Sequence, residues 1–364
     1  MGRKIGLSFW AYLGDNVIDS PSGANFYLPS VVSVLQDRDY EIYSLQQNRD
    51  GMLSEPIKFE NFLADERRKT YEALNFVEGS DFPDLDILYV EWRWPIQGRN
   101  TFNDIGVPGF TPDLLRQTAI LDYYLNKKNT KIVIWDQDYK LSEIDEEKFL
   151  NADSANVKIV ETSVFPKKRL IDRYRIQVPF DFDTIYEYGI NFGRDKILYV
   201  GNNYERERMI DEYMLPISEK YPGKVQFYGN WRKYPEEFER ISNKWPNIVY
   251  NDRITKADFL RVYQDSLCVP LLAKDDYLKH GHMTARLLES LYFGSLPIGF
   301  REFNGIEFYL TDELIVNSAE DFIYKYEELM RYNYSERIKL YNAQIDRLKP
   351  LMDVHRFVDT IERI

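Results

Sequence analysis

Cysteine is almost missing from this 364-residue chain, and a single thiol, Cys268, excludes an internal disulfide. It lies in the apolar run SLCVPLLA, where a buried strand thiol is expected rather than a nucleophile. Three His and one Cys also exclude a Cys/His zinc cluster. No stretch reaches the ~18 consecutive apolar residues of a membrane span. The opening MGRKIGLSFW lacks the long apolar segment and small-residue cleavage site of a secretory leader, so the sequence predicts a cytosolic protein with no membrane partner. Net positive charge is missing too: 47 Lys and Arg stand against 59 Asp and Glu, which argues against tight non-specific binding to nucleic acid. What the chain does have is apolar and aromatic bulk, with 28 Tyr and 22 Phe. That composition excludes a disordered polymer, and the length suits two domains, each with its own core.

Short apolar runs alternate with helical patterns along the first half: KIGLSFW, an amphipathic stretch from Tyr27 to Leu35, EIYSL and DILYVEW. PDLLRQTAILDYYLNKKN places Leu114, Leu115, Ile120, Leu121 and Leu125 at helical spacing and leads into the strand KIVIWDQD. KIVET and RIQVPFDF read as two further short strands. At NFGRDKILYVGNN the pattern starts again, which puts a domain boundary near residues 181–194. The second half reads as KILYVG, a helix from Arg206 to Glu219, KVQFYGN, a helix near Pro235 to Ser242, NIVYND, a helix from Lys256 to Gln264, and SLCVPLLA. A helix from Thr284 to Phe293, the strand SLPIGF and more helix complete it. Such alternation implies parallel sheets covered by helices. The expected fold is α/β, two Rossmann-like domains facing across a cleft, spanning 1–182 and 190–345. A C-terminal helix near 348–364 is expected to pack back on the first domain. Ligands in such sheets bind at the carboxyl ends of the strands.

Several residues at those ends could carry chemistry. In GHMTARLLESLYFGSLPIGF, Arg286 and Glu289 are three apart on one helix face. The cation can hold a diphosphate while the carboxylate one turn later accepts two ribose hydroxyl protons; an exposed ion pair has the same spacing. KILYVGNNYERERM puts Gly201 just after a strand, with Asn202, Asn203, Arg206 and Arg208 following. KVQFYGNWRKY repeats the theme at Gly229, Asn230, Trp231 and Arg232, where Tyr228 or Trp231 could flank a nucleobase. LGDNVID sets Gly14, Asp15 and Asn16 in the loop after the first strand. KIVIWDQDYKL ends a strand with Asp136 and Asp138; if the strand continues, both point the same way, so one could act as a base and the other orient it or hold a metal.

At these residues the chain resembles the T-even phage DNA β-glucosyltransferase family, two-domain glycosyltransferases of the B architecture (GT-B). These transfer glucose from UDP-glucose to 5-hydroxymethylcytosine in DNA. The resemblance runs collinearly from GDNVIDSPSGANFYL to HMTARLLESL and rests on shared order and spacing. It implies a UDP-sugar donor, a divalent ion (Mg or Mn) as an optional helper, and a monomer. KIVIWDQDYKL is similar to the strand that ends in the family's catalytic aspartate, which makes Asp138 the base. LYVGNN resembles the turn beside the diphosphate, implying contacts at Gly201 and Asn202 and a phosphate ligand at Arg206 or Arg208. FYGNWR resembles the turn beside the uridine, and HMTARLLESL a segment in which Arg contacts phosphate and Glu the ribose, here Arg286 and Glu289. Gly14 and Asp15 join the donor set.

The sequence departs from the family in two respects. The acidic residue of the first active-site loop is replaced by Ala24, and residues 1–182 carry only 22 Lys and Arg against 29 Asp and Glu. A DNA acceptor would therefore need local positive surface, for which Arg93, Arg99 and the cluster Lys167, Lys168, Arg169, Arg173 and Arg175 are the candidates. Trp92 or Trp94 would support a nucleotide turned out of the helix. The alternatives are the same transferase chemistry on a glycan, small molecule or protein, and a non-catalytic nucleotide-sugar binder that needs no carboxylate at Asp138.

Overall fold

The computed structural model describes residues 2–9, 24–46, 69–70, 72–77, 79–95, 101–102, 109–110, 112–152, 156–166, 170–185, 189–254 and 256–364. The chain divides into two units. One comprises Met1–Thr162, Pro166–Pro179 and Val354–Ile364, the other Ser163–Phe165 and Phe180–Asp353.

In the first unit the runs KIGLS, ILYVE and KIVIW are apolar on both faces, the pattern of strands covered by helices above and below. They form β1 (Lys4–Ser8), β4 (Ile87–Glu91) and β7 (Lys131–Trp135), the middle of a seven-stranded parallel sheet. β2 (Glu41–Gln46), β3 (Leu74–Phe76), β8 (Val157–Glu161) and β9 (Arg173–Arg175) complete it in the order β3-β2-β1-β4-β7-β8-β9. β5 (Thr101–Phe102) and β6 (Gly109–Phe110) pair separately as an antiparallel ribbon. Leu88, Val90, Ile132, Ile134 and Ile159 from the sheet pack with Ile120, Leu121 and Tyr124 of the helix Pro112–Tyr124. The terminal helix Val354–Arg363 belongs to this unit: Phe357 sits edge-on to Tyr89 and Trp135 at 5.8 Å, and Glu362 accepts from Tyr40 Oη at 2.7 Å.

The second unit is a six-stranded parallel sheet of β10 (Lys196–Val200), β11 (Val225–Tyr228), β12 (Val249–Asn251), β13 (Ser266–Pro270), β14 (Leu296–Phe300) and β15 (Ile315–Val316), in the order β12-β11-β10-β13-β14-β15. Both sheets thus follow the 3-2-1-4-5-6 Rossmann order, the first with β9 added as a seventh strand. The direction of winding reverses between β1 and β4 in one and between β10 and β13 in the other, which leaves a crevice at the strands' carboxyl ends. Cys268 is buried in β13, and burial pushes its thiol up to about 12, as befits an inert core residue. Among the described residues no helix is long and apolar enough to cross a membrane.

Two elements differ from the sequence reading. RIQVPFDF is not a strand: β9 ends at Arg175, and beyond it only Phe180 forms an isolated bridge, to Asp353. Pro179 has no N–H to give to a ladder. The helix expected from Arg206 to Glu219 runs through Glu207–Met209, a π-helical turn at Ile210–Met214 and Leu215–Lys220. Leu215 N reaches back five residues to Ile210 O, immediately before Pro216, which has no donor for an ordinary helical bond.

Candidate functional site

In the second unit the two strand-Gly-Asn turns lock onto one another. Gly201 follows β10 directly, and its N–H donates to Tyr228 O at the end of β11 at 2.8 Å. Asn202 Oδ1 accepts from Asn230 N, and Trp231 Nε1 donates to Gly201 O, both at 2.8 Å. Both glycines are required by space. A Cβ on Gly201 would stand 2.5 Å from Arg286 Nη2 and 2.8 Å from Tyr199 Oη, and one on Gly229 would run into the Gly201 carbonyl. Trp231 is 3% exposed and packs on Phe227 at 5.0 Å, so it braces the turn instead of flanking a base. Tyr228 is half-buried, its hydroxyl 3.2 Å from Gln226 Oε1.

Arg286 begins the helix Arg286–Tyr292. Its Nε donates to Val200 O at 2.8 Å and its Nη1 to Leu272 O at 3.5 Å, so the guanidinium spans the ends of β10 and β13 where the winding reverses. It also lies over the Tyr199 ring, 4.5 Å from the centroid. Glu289, one turn on, accepts from Tyr263 Oη at 3.3 Å. Burial pushes its carboxyl up, against the pull of Arg286 and of the Tyr263 hydrogen bond. Tyr263 is a partner the sequence reading missed; it lies 26 residues away on another helix, and no local pattern marks it.

The two arginines weighed as phosphate ligands are held in contacts of their own. Arg206 is 8% exposed and donates to Leu272 O, Asn202 O and Tyr204 O, stitching the glycine turn to β13. Arg208 pairs with Glu212, Asp275 and Glu302 at 2.9, 2.8 and 2.6 Å. Arg206 shares Leu272 O with Arg286 but is buried, which leaves Arg286 as the half-buried guanidinium of the two at the switch point.

In the first unit β7 ends at Trp135 and the chain turns, so the expectation that Asp136 and Asp138 share a strand face is corrected. Asp136 is 1% exposed and closes the turn, its Oδ1 accepting from Lys140 N at 2.7 Å and Leu141 N at 3.2 Å. Asp138 is half-buried in the middle of that turn. Its charge reaches Tyr27, whose hydroxyl is held protonated first by burial and then by Glu91, Tyr89 and Asp138.

The acceptor residues need a larger correction. Arg93 is 1% exposed: Nη1 donates to Ser8 Oγ at 3.2 Å, Nη2 donates to Phe9 O, and Gln117 brackets its backbone. Trp92 stands edge-on to Phe149 at 6.0 Å within the core cluster. The segment after β4 turns inward to fill the crevice beside β1, so neither residue forms an exposed rim. Trp94 is half-buried and Arg175 exposed, while the Arg173 side chain is only 3% exposed. Gly14, Asp15, Arg99, Lys167, Lys168 and Arg169 lie outside the described residues. Among the described residues no group of three or more His, Cys, Asp or Glu is placed to hold a metal ion.

No family model and no curated protein sequence matches the chain. Solved structures do. T4 phage β-glucosyltransferase in complex with its UDP-glucose substrate is similar at a TM-score of 0.58 and 16% identity, covering 99% of this chain and 98% of that one. An O-GlcNAc transferase from Thermobaculum terrenum is similar at 0.57 and 12%, over 99% of this chain and 66% of its own. Anabaena HepE in complex with UDP-glucose is similar at 0.53 and 9%, over 99% and 97%. What is shared at these identities is the fold: this chain is an α/β protein of two Rossmann-like units, with the GT-B fold.

Proposed function

We propose that the chain is a UDP-sugar-dependent glycosyltransferase. It would transfer the sugar to the hydroxymethyl group of a modified pyrimidine, 5-hydroxymethylcytosine or 5-hydroxymethyluracil, in DNA. The observation that carries this reading is the placement of Arg286 at the β10/β13 switch point with Glu289 one helical turn on, beside two glycine turns whose missing side chains let Gly229 close on Gly201 and the Arg286 guanidinium lie against Gly201. A guanidinium fork suits a diphosphate, and a half-buried carboxylate suits a pair of ribose hydroxyls. Gly201, Asn202, Gly229 and Asn230 shape the donor side, Arg206 holds that shape, and Gly14 and Asp15 belong to the same proposal. The similar T4 phage enzyme carries UDP-glucose in one structure and UDP with Mn2+ in another. A divalent ion, Mg or Mn, would screen the diphosphate charge.

In the reaction the hydroxymethyl oxygen attacks the anomeric carbon while its proton passes to the Asp138 carboxylate. The bond from that carbon to the phosphate oxygen breaks, and UDP leaves with the electron pair, its added charge met by Arg286. One displacement inverts the anomeric centre. A base inside duplex DNA has to be turned out to reach such a group. This reading places the protein in the cytoplasm of a phage-infected cell. A glycan, small molecule or protein acceptor is the second reading. It is favoured by the burial of Trp92 and Arg93 and by the net charge of −12.

Calorimetry with UDP tests the donor assignment. Arg286→Ala and Glu289→Ala should each weaken binding by about 2–5 kcal/mol, the usual loss when one partner of a desolvated charged contact is removed. Unchanged affinity in both folded variants would reject the site.

A further inference from the structure

A buried charge cluster lies directly behind the turn that carries Asp138. Arg173 on β9 meets three carboxylates from three elements: Asp136 after β7, Glu161 at the end of β8, and Glu146 on the helix Glu143–Leu150. Nη1 lies 3.3 Å from Asp136 Oδ2 and 3.4 Å from Glu161 Oε2, and Nη2 pairs with Glu146 Oε1. All four side chains are 3% exposed or less. Each carboxylate is tied again through its other oxygen. Asp136 Oδ1 takes the amides of Lys140 and Leu141, Glu161 Oε1 takes the Tyr139 hydroxyl at 3.4 Å, and Glu146 Oε2 takes Ile171 N at 2.9 Å. Two of the three carboxylates therefore end on residues 139–141, immediately after Asp138. Tyr139 itself has φ of 60°, a left-handed conformation that a non-glycine residue keeps only where its surroundings hold it.

We propose that Arg173 is a positioning residue for Asp138: its Nη1 bridges Asp136 and Glu161, which hold the turn, while its Nη2, anchored on Glu146, fixes the plane of the guanidinium. The proposal rests on Asp138 being the base. For strand ends that need only to be buried, apolar side chains would pack as well without the desolvation of four charges. What the cluster adds is geometry, and a misplacement of about 1 Å in a reacting group lowers rate on the order of 100-fold.

The test uses the full chain with UDP-glucose and DNA containing 5-hydroxymethylcytosine. Arg173→Lys keeps the charge that the buried carboxylates require but loses the second nitrogen that anchors the bridge on Glu146. Its kcat should fall about 10- to 100-fold while the KM for the donor and the Kd for UDP stay within about twofold. By hydrogen exchange, the amides of Lys140 and Leu141 should open about tenfold faster or more, with Ile132–Trp135 still protected. Should Arg173→Lys fail to fold, Tyr139→Phe removes only the hydroxyl tie and should show the same two changes at smaller size. Wild-type kcat together with wild-type exchange at Lys140 and Leu141, in whichever variant folds, would overturn the proposal. A wild-type kcat in Asp138→Asn would instead remove Asp138 as the base. The exchange measurement would still decide whether Arg173 holds the turn.

Discussion

Gly229 shows how much of the proposed donor side depends on one missing side chain. The atoms a Cβ would meet there are the backbone carbonyl of Gly201 and the Asn202 Oδ1 that already accepts from Asn230 N, so no flexible group can move aside. Gly229→Ala should lower stability to urea by about 1–3 kcal/mol, the usual range for overpacking, and weaken UDP binding with it. Gly223→Ala is the control. A Cβ there meets nothing within 4 Å, and only the φ of 76° is unfavourable, so UDP binding should be unchanged. Equal UDP affinity in the two variants would contradict the role given to the paired turns. At this scale the sequence was legible where spacing decides, as with Arg286 and Glu289 on one helical face. It was not legible where a partner comes from elsewhere in the chain: Tyr263 beside Glu289 and Arg173 behind Asp136 have no local signature. Arg93 was misread because a lone arginine after a strand looks the same whether it faces solvent or plugs the crevice beside β1.

Among the elements, the helix beginning at Glu207 is tied to its neighbour Pro235–Lys244 by charge. Glu207 accepts from Arg240, lies 3.6 Å from Lys244 Nζ, and is held at about 2, first by the Arg240 hydrogen bond and with help from Asn203, against the opposing effect of burial. Because the folded value is depressed, its contribution to stability is present above the ordinary carboxylate range and is lost as pH falls from about 4.5 to about 2. In Glu207→Gln the fall of stability across that interval should be shallower than in the wild type, as read from urea midpoints at several pH values; an identical slope would remove Glu207 from the acid response. The strands themselves were readable from continuous apolar runs such as KIVIW and SLPIGF, because a strand covered on both faces has no polar alternation. The stretch after β9 and the π-turn were not, since Pro179 in the first and Pro216 beside the second have no N–H to give.

At the scale of the whole molecule, each Rossmann-like sheet carries an arginine where its winding reverses. Arg93 reaches the end of β1 from the end of β4, and Arg286 reaches the ends of β10 and β13 from the following helix. The first is 1% exposed and the second half-buried, in keeping with the donor site proposed for the second unit. The repeated strand-helix rhythm made the duplication visible in the sequence. Net charge, a property of the entire surface, could not say where positive groups gather. The most direct measurement is the mass of the nucleosides recovered after DNA containing 5-hydroxymethylcytosine or 5-hydroxymethyluracil is incubated with the protein and a panel of UDP-sugars. The account predicts a pyrimidine nucleoside heavier by one glycosyl residue with at least one donor, and none when Asp138→Asn replaces the wild type although UDP still binds. Unaltered nucleosides with every donor, from wild-type protein that binds UDP, would contradict it.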